Sequence, residues 1–357
     1  MWVYVILLFV PLFIQHAIYG KKKVDLEKKN KNALAIFFLL FTVLVMLRHE
    51  SVGNDTRNYR FFFENYARMD WETIGKDPVE VGFSYFNKIV SVVKNDPQFF
   101  LAVTAIVTVL MIYFTYRRLC LDSSLTIMLF CTMSTFVMAF SGIRQMLAIG
   151  LGFLAYECTR NKKLLLFIPI VLLAMSFHTS AFMLAFMYPL YHAKITKNWL
   201  LVVVPVLALI FVMNKPIFSF LAAIIARYTK YEGDITSTGA YTMLLLFIIF
   251  TVFAFLVPNE SKLDAETIGL RNFLLFSLAL QMFAPLHSLA MRMNYYYIIF
   301  IPLLMPKIIQ NSDIKWKQLA VAGRHVMVIF FLVYFFKNAG DGGNLNVFPY
   351  HFFWENV

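Results

Sequence analysis

The chain has 357 residues, of which 60% are hydrophobic, 17% aromatic and only 15% charged, with a net charge of +12. Its mean hydropathy is +0.69, and a soluble domain with about 25% charged residues is excluded. Nucleic acid is not expected as a partner either, because the Lys and Arg residues cluster in short segments between apolar runs, the usual bias of cytoplasmic loops.

Apolar runs recur along the whole sequence, which predicts an all-α, polytopic integral membrane protein forming one domain over residues 1–357. A membrane β-barrel would instead alternate polarity in segments of about ten residues. About twelve transmembrane helices are expected, some short or broken, since about 20 apolar residues are needed to span a bilayer. They lie near 1–19, 33–48, 98–116, 124–143, 145–158, 164–177, 179–192, 199–213, 239–257, 271–289, 293–310 and 322–337. The fourth with the fifth, and the sixth with the seventh, can each form a broken pair lining a protein cavity.

The first run has no basic residue before it and is followed by Lys21, Lys22, Lys23, Lys28, Lys29 and Lys31. That order predicts a retained helix with its N-terminus outside, not a cleaved signal peptide. Alternation then places Arg117-Arg118, Arg160–Lys163, Lys262 with Arg271, and Lys307–Arg324 in inner loops. Three segments fall outside: a long loop at 49–97, a second loop at 214–239, and the tail at 338–357.

The 49–97 loop opens with Gly53-Asn54-Asp55-Thr56, then Arg57 and Tyr59. It continues through Glu80-Val81-Gly82-Phe83 and an amphipathic stretch to Val93, and closes on Asp96-Pro97. Its aromatic density argues against disorder and predicts interfacial helices lying apolar side down.

Two later stretches place polar groups inside or at the ends of apolar runs: Ser141-Gly142-Ile143-Arg144-Gln145 and Phe177-His178-Thr179-Ser180-Ala181. A charge at membrane depth costs about 3 kcal/mol on insertion scales and usually faces a cavity or a partner. Anchoring at the headgroups is the plainer alternative. By the alternation above, Asp55, Arg57, Arg144, His178, Arg227 and Arg292 all map to the outer face.

Arginines at the outer ends of separate helices suit a diphosphate, because guanidinium groups fork onto phosphate oxygens. Charge-assisted bonds of that kind stabilise a departing diphosphate without a metal, so no metal or cofactor is expected. The three cysteines show no metal-ligand spacing. His178 is a candidate base toward a sugar hydroxyl, and Asp55 is the rival. Tyr59 and Tyr295 offer ring faces and hydroxyls to sugars. Structural roles stay open for several of these residues. Arg292 can belong to an interfacial belt with Tyr295, Arg227 can sit in a solvated loop, Asp55 can cap a helix, Thr179 or Ser180 can cap the seventh span beside a bystander His178, and Glu80 can serve the fold rather than the substrate.

The stretches Gly53-Asn54-Asp55-Thr56 with Tyr59, Glu80-Val81-Gly82-Phe83, Asp96-Pro97-Gln98-Phe99, Ser141–Gln145 and Phe177–Ala181 resemble those of the EpsG family, grouped with Wzy-type O-antigen and exopolysaccharide polymerases. Asn54 and Val81 depart from the residues common there, without removing a chemical group. The resemblance implies a metal-independent membrane glycosyltransferase of the bacterial cytoplasmic membrane. It would move a growing glycan from undecaprenyl diphosphate to a new undecaprenyl-diphosphate-linked repeat at the outer face. A chain-length regulator and a flippase are the further partners it implies. The roles that follow are catalysis for His178, Arg144 and Asp55, and substrate binding for Arg57, Tyr59, Glu80, Arg227, Arg292 and Tyr295.

Other readings stand beside this one. A transferase using a polyprenyl-phosphate donor would add a single sugar, with Asp55 as base. A flippase for lipid-linked sugars would spread polarity through the midplane and show repeated halves, whereas here polarity gathers on one face. An O-acyltransferase using His178 is the third.

Overall fold

A few polar residues set where the apolar runs start as helices. Asp96 accepts hydrogen bonds from the N–H groups of Gln98 (2.8 Å) and Phe99 (3.3 Å), and Pro97 takes the first turn, where its missing N–H costs nothing. Asp70, Asp122 and Asp264 act alike, toward the N–H groups of Thr73 (2.7 Å), Leu125 (3.2 Å) and Thr267 (2.7 Å).

The computed structural model describes residues 1–18, 25–76, 80–224, 239–341 and 344–357. The helices in chain order are α1 (Trp2–Phe13), α2 (Leu26–Met46), α3 (Thr56–Arg68), α4 (Trp71–Ile74), α5 (Val81–Val93), α6 (Pro97–Leu119), α7 (Ser123–Thr132), α8 (Ser134–Ser141) and α9 (Ile143–Arg160). Then come α10 (Leu164–Phe177), α11 (Met187–His192), α12 (Leu200–Val212), α13 (Asn214–Ile224), α14 (Gly239–Leu256), α15 (Ala265–Gln281), α16 (Ser288–Ile298), α17 (Ile301–Gln310) and α18 (Lys317–Gly340). A 3₁₀ helix, Thr179–Phe186, links α10 to α11. Among the described residues the only strand-like pairings are two isolated bridges, Arg48 with Phe352 and Pro258 with Ser312.

The all-helical, apolar character predicted from composition is therefore observed. The count of spans is not. Three helical stretches among the described residues are long and apolar enough to cross a bilayer: Leu26–Met46, Pro97–Leu119 and Ile314–Gly340. Two bent pairs raise this to five, Ser123–Thr132 with Ser134–Ser141 at 60° and Lys197–Val212 with Asn214–Phe220 at 76°. Hydropathy sees an apolar run but not the bend within it: the fourth expected span is itself broken at Met133, and a second break, at Gly142, separates it from the fifth.

The chain divides into two compact units, Met1–Ala185 with Arg324–Val357, and Phe186–Gly323. The first is built around an aromatic interior in which Phe130 lies 5.7 Å from Phe37 and 5.4 Å from Phe41, centroid to centroid. Polar ties close this unit at both ends of α2. At its start, Asn30 accepts from Gln15 (2.7 Å) and Ser123 (3.1 Å) and donates to the Leu121 carbonyl (2.7 Å), while Arg324 is 2.5 Å from Asp122.

Beyond the end of α2, Arg48 is fully buried and donates to Thr56 Oγ1 (3.3 Å) and the Val45 carbonyl. The C-terminal tail lies along this segment. The His49 N–H donates to the His351 carbonyl (2.9 Å), Gly53 to Asn346 (3.0 Å) and Asn54 to Leu345 (3.0 Å). Tyr4 donates to the Val347 carbonyl (2.5 Å). The N-terminus, the first loop and the tail thus share one end of the unit.

In the second unit, Arg271 is fully buried in α15 and does not lie in an inner loop. It donates to Glu260 (2.6 and 3.1 Å) and to the Ile195 carbonyl (2.8 Å), over the Phe255 ring at 4.1 Å. The hydropathy reading misplaced it because α15 starts at Ala265, inside the stretch taken as loop.

Candidate functional site

Four sequence stretches meet in the first unit. Gly53 is the residue that lets the first loop dock. Its φ is +89°, a region that side-chain-bearing residues avoid, and an added Cβ would overlap the Phe140 carbonyl. Thr56 Oγ1 lies within hydrogen-bonding distance of the Val52 (2.7 Å) and Phe140 (3.1 Å) carbonyls. This seats Gly53–Thr56 against the end of α8, where Ser141 Oγ accepts from the Asp55 N–H (3.4 Å) and donates to Asp55 Oδ2 (3.5 Å). The Asp55 side chain does not cap α3.

The second docking is at Gly82, where an added Cβ would collide with the Ser176 side chain near the end of α10. That close approach brings Glu80, at the N-cap of α5, to the start of both α9 and the 3₁₀ helix. Glu80 Oε2 is 2.5 Å from Arg144 Nη1. Glu80 Oε1 accepts from the Thr179 hydroxyl (3.0 Å) and N–H (3.3 Å). Thr179 is thus a partner of Glu80, and Ser180 is a partner of His178: its Oγ is 2.6 Å from His178 Nδ1, and its N–H donates to the same nitrogen at 3.3 Å.

Arg144 sits in the first turn of α9, where the helix dipole opposes a cation and favours an anion. Glu80 offsets that conflict, and the Phe83 ring lies 5.8 Å below the guanidinium. Phe83 belongs to an apolar cluster with Tyr59, Phe63, Phe100, Ile143 and Leu147, which forms the floor of the site. The Arg144 Nε is buried without a hydrogen-bond partner among the described residues.

The electrostatics follow from these contacts. Burial pushes the Glu80 carboxyl up, but Arg144, His178 and the Thr179 hydroxyl together hold it below the usual carboxylate value. Burial raises the Tyr59 hydroxyl, and the neighbouring Arg144 only partly offsets it, so Tyr59 stays a neutral donor. Among the described residues no three His, Cys, Asp or Glu side chains come together as a metal-ligand set.

Of the residues expected to act together, Asp55, Tyr59, Glu80, Arg144 and His178 are linked through these contacts. Arg57 is not. Its side chain is 75% exposed and pairs with Glu50 at 3.2 Å. The buried face of α3 is Thr56, Tyr59, Phe63 and Tyr66, and Arg57 falls off that 3.6-residue period. Arg292 and Tyr295 lie in α16, in the other unit, and Arg227 lies outside the described residues. The Glu80–Arg144 pair was not legible in the sequence, which named both residues but not their partnership.

The arrangement presents a cation at a helix start, a carboxylate, an imidazole and a neutral phenol above an apolar floor. It can bind an anion and handle a proton. The family model described as EpsG family matches residues 31–352. No curated protein and no solved structure matches the chain.

Proposed function

Because the chain belongs to the EpsG family, whose members are membrane proteins of polysaccharide biosynthesis, we propose that it is the polymerase of a bacterial surface polysaccharide. The growing glycan is transferred from undecaprenyl diphosphate to a new lipid-linked repeat at the outer face of the cytoplasmic membrane. The observation that carries this reading is Arg144, held at the start of α9 by Glu80, in contact range of Tyr59. A carboxylate already occupies an anion cradle made of a guanidinium, a hydroxyl and a backbone N–H. The donor diphosphate uses the same chemistry, beside Glu80 or in its place.

In this scheme a hydroxyl of the acceptor attacks the anomeric carbon of the donor, and the lipid diphosphate leaves. Arg144 stabilises the charge that develops on the leaving phosphate. His178 and Asp55 are the two candidates for taking the acceptor proton. Tyr59 and the aromatic first loop meet the sugars. Arg227, Arg292 and Tyr295 are further substrate contacts in the proposal.

The test is surface-polysaccharide length on a gel, in cells with the gene deleted or restored. Collapse of a ladder to single repeats on deletion supports a polymerase. Loss of every surface repeat, with lipid-linked units retained inside, supports a flippase instead. A product shorter by one sugar supports the single-sugar transferase.

A further inference from the structure

We propose that α6 carries a binding site for one anionic diacyl phospholipid, with an acyl chain in the groove on each side of the helix and the phosphate on Arg117 and Arg118. The site lies away from Glu80 and Arg144, since α9 runs about 24 Å from Arg144 to Arg160. It does not depend on the polymerase reading.

Ile106, Leu110 and Phe114 are spaced four apart on α6, and all are exposed, Phe114 at 64%. At that period they form one ridge along the helix. A groove runs along each flank of the ridge. The groove toward α2 has a volume of about 340 Å³ and is lined by Leu39 with Ile106, Leu110 and Tyr113. The groove toward α9 has about 330 Å³, is lined by Leu110 and Phe114 with Leu154, and reaches Arg118. Leu110 belongs to both. Ile106 to Tyr113 is about 10 Å of helix and Leu110 to Arg118 about 12 Å. Each groove therefore fits within the about 15 Å that one leaflet contributes to the hydrocarbon core. α6 is itself long and apolar enough to cross a bilayer, so acyl chains are the apolar partner that its surroundings supply.

Charge selects the headgroup. The ridge ends in Arg117 and Arg118, one cation for each groove. The Arg117 guanidinium lies 6.0 Å from the centre of the Tyr113 ring, and Arg118 lines the other side. Arg118 is 2.9 Å from Glu157, which also holds Arg160 at 3.1 Å. One carboxylate thus faces two guanidinium groups, with Arg117 a third cation next in sequence. Asp122, the first acid after α6, is paired with Arg324. The excess of positive charge at the mouths of two apolar grooves matches a phosphodiester that carries two chains.

The end of α9 adds an independent sign. It closes in a Schellman motif, in which the Lys162 N–H donates to the Thr159 carbonyl (3.0 Å) and the Lys163 N–H to the Cys158 carbonyl (2.8 Å). Lys162 takes the left-handed position, at a φ of 57°, where glycine is the usual residue. A side chain there costs the fold stability, and what it keeps is a cation at the rim of the same site.

The experiment is native mass spectrometry of the full chain, purified in detergent and titrated with dioleoyl phosphatidylglycerol or dioleoyl phosphatidylcholine. One phosphatidylglycerol per chain is expected to be retained ahead of phosphatidylcholine. A basic residue at a lipid surface is worth about fivefold in affinity, so Arg117→Gln loses about fivefold and the Arg117→Gln, Arg118→Gln double variant about 30-fold. Arg117 is exposed, so its single variant folds even if the double variant does not. Leu110→Trp fills the point common to both grooves and weakens binding with every charge in place. Monoacyl phosphatidylglycerol binds more weakly than the diacyl form. Lys162→Gly binds about fivefold more weakly, yet unfolds at a temperature no lower than wild type. Equal retention of the two diacyl lipids, or binding unchanged in Arg117→Gln or Leu110→Trp, overturns the proposal. So does a lipid-free dimer of the chain, or displacement of phosphatidylglycerol by an equal amount of undecaprenyl phosphate. None of these readouts uses polysaccharide synthesis, so they hold whether or not the chain is a polymerase.

Discussion

Glu80 Oε2 and Arg144 Nη1 lie 2.5 Å apart although 64 positions separate them in the chain. The pair fastens the loop between α2 and α6 to the start of α9, and Thr179 extends the tie to the end of α10. Removing one partner leaves a largely desolvated charge alone. Glu80→Ala is expected to cost about 2 kcal/mol, below the 3–5 typical of fully buried pairs because Arg144 is 27% exposed. The Glu80→Ala, Arg144→Ala double variant is expected to lose less than the sum. Thermal unfolding of the four proteins in detergent measures the coupling; strict additivity would dissolve the pair as a structural element.

Acid should loosen the same tie. The Glu80 carboxyl is held below its ordinary value of 4.5, with burial opposing and Arg144 leading the contacts that lower it. A carboxylate with a depressed folded pKa contributes stability that is complete above the unfolded value and disappears as pH falls through the folded one. The stability difference between wild type and Glu80→Gln is therefore flat above about pH 5 and shrinks below it. Unfolding temperatures of both proteins from neutral to acid pH decide this. A difference that grows in acid contradicts the assignment.

Gly53→Ala places a Cβ where the Phe140 carbonyl sits, at a φ of +89°. The backbone term alone costs about 1–3 kcal/mol. Because Gly53 seats Asp55 on Ser141, chain lengthening is expected to fall further than stability. Equal activity per folded molecule would show that this docking does not position the chemistry.

Arg57→Ala should change little. Its side chain is mostly solvated, and an exposed pair such as Arg57–Glu50 is worth about 0–1 kcal/mol. Product length close to wild type is expected on a gel. A collapse to short products would bring Arg57 back into the substrate site.

The fold class was legible because 60% hydrophobic residues exclude a soluble domain and the apolar runs lack the alternation of a barrel. The site was legible in part. Polar groups at the ends of apolar runs are costly, so Arg144 and His178 stood out one by one, and Asp55 stood out by its place in the first outer loop. Their partners did not. Glu80 and Thr179 could be named from their stretches, but nothing in hydropathy pairs position 80 with 144 or 179. The placement of Arg57 was equally hidden. It is two residues from Asp55 in the chain, yet helical period turns it away from Thr56 and Tyr59. Arg271 reads as a loop cation until its contacts with Glu260 and Ile195 show it inside α15.

The central claim is that this chain joins lipid-linked repeats by a reaction that depends on Arg144. The direct measurement is to purify the full chain, supply undecaprenyl-diphosphate-linked repeat units, and follow chain length and released undecaprenyl diphosphate together. The account predicts a ladder with one diphosphate released per added repeat, both abolished by Arg144→Ala in a protein that still folds. Lengthening that survives Arg144→Ala, or diphosphate-linked repeats moved across a membrane without lengthening, would contradict it.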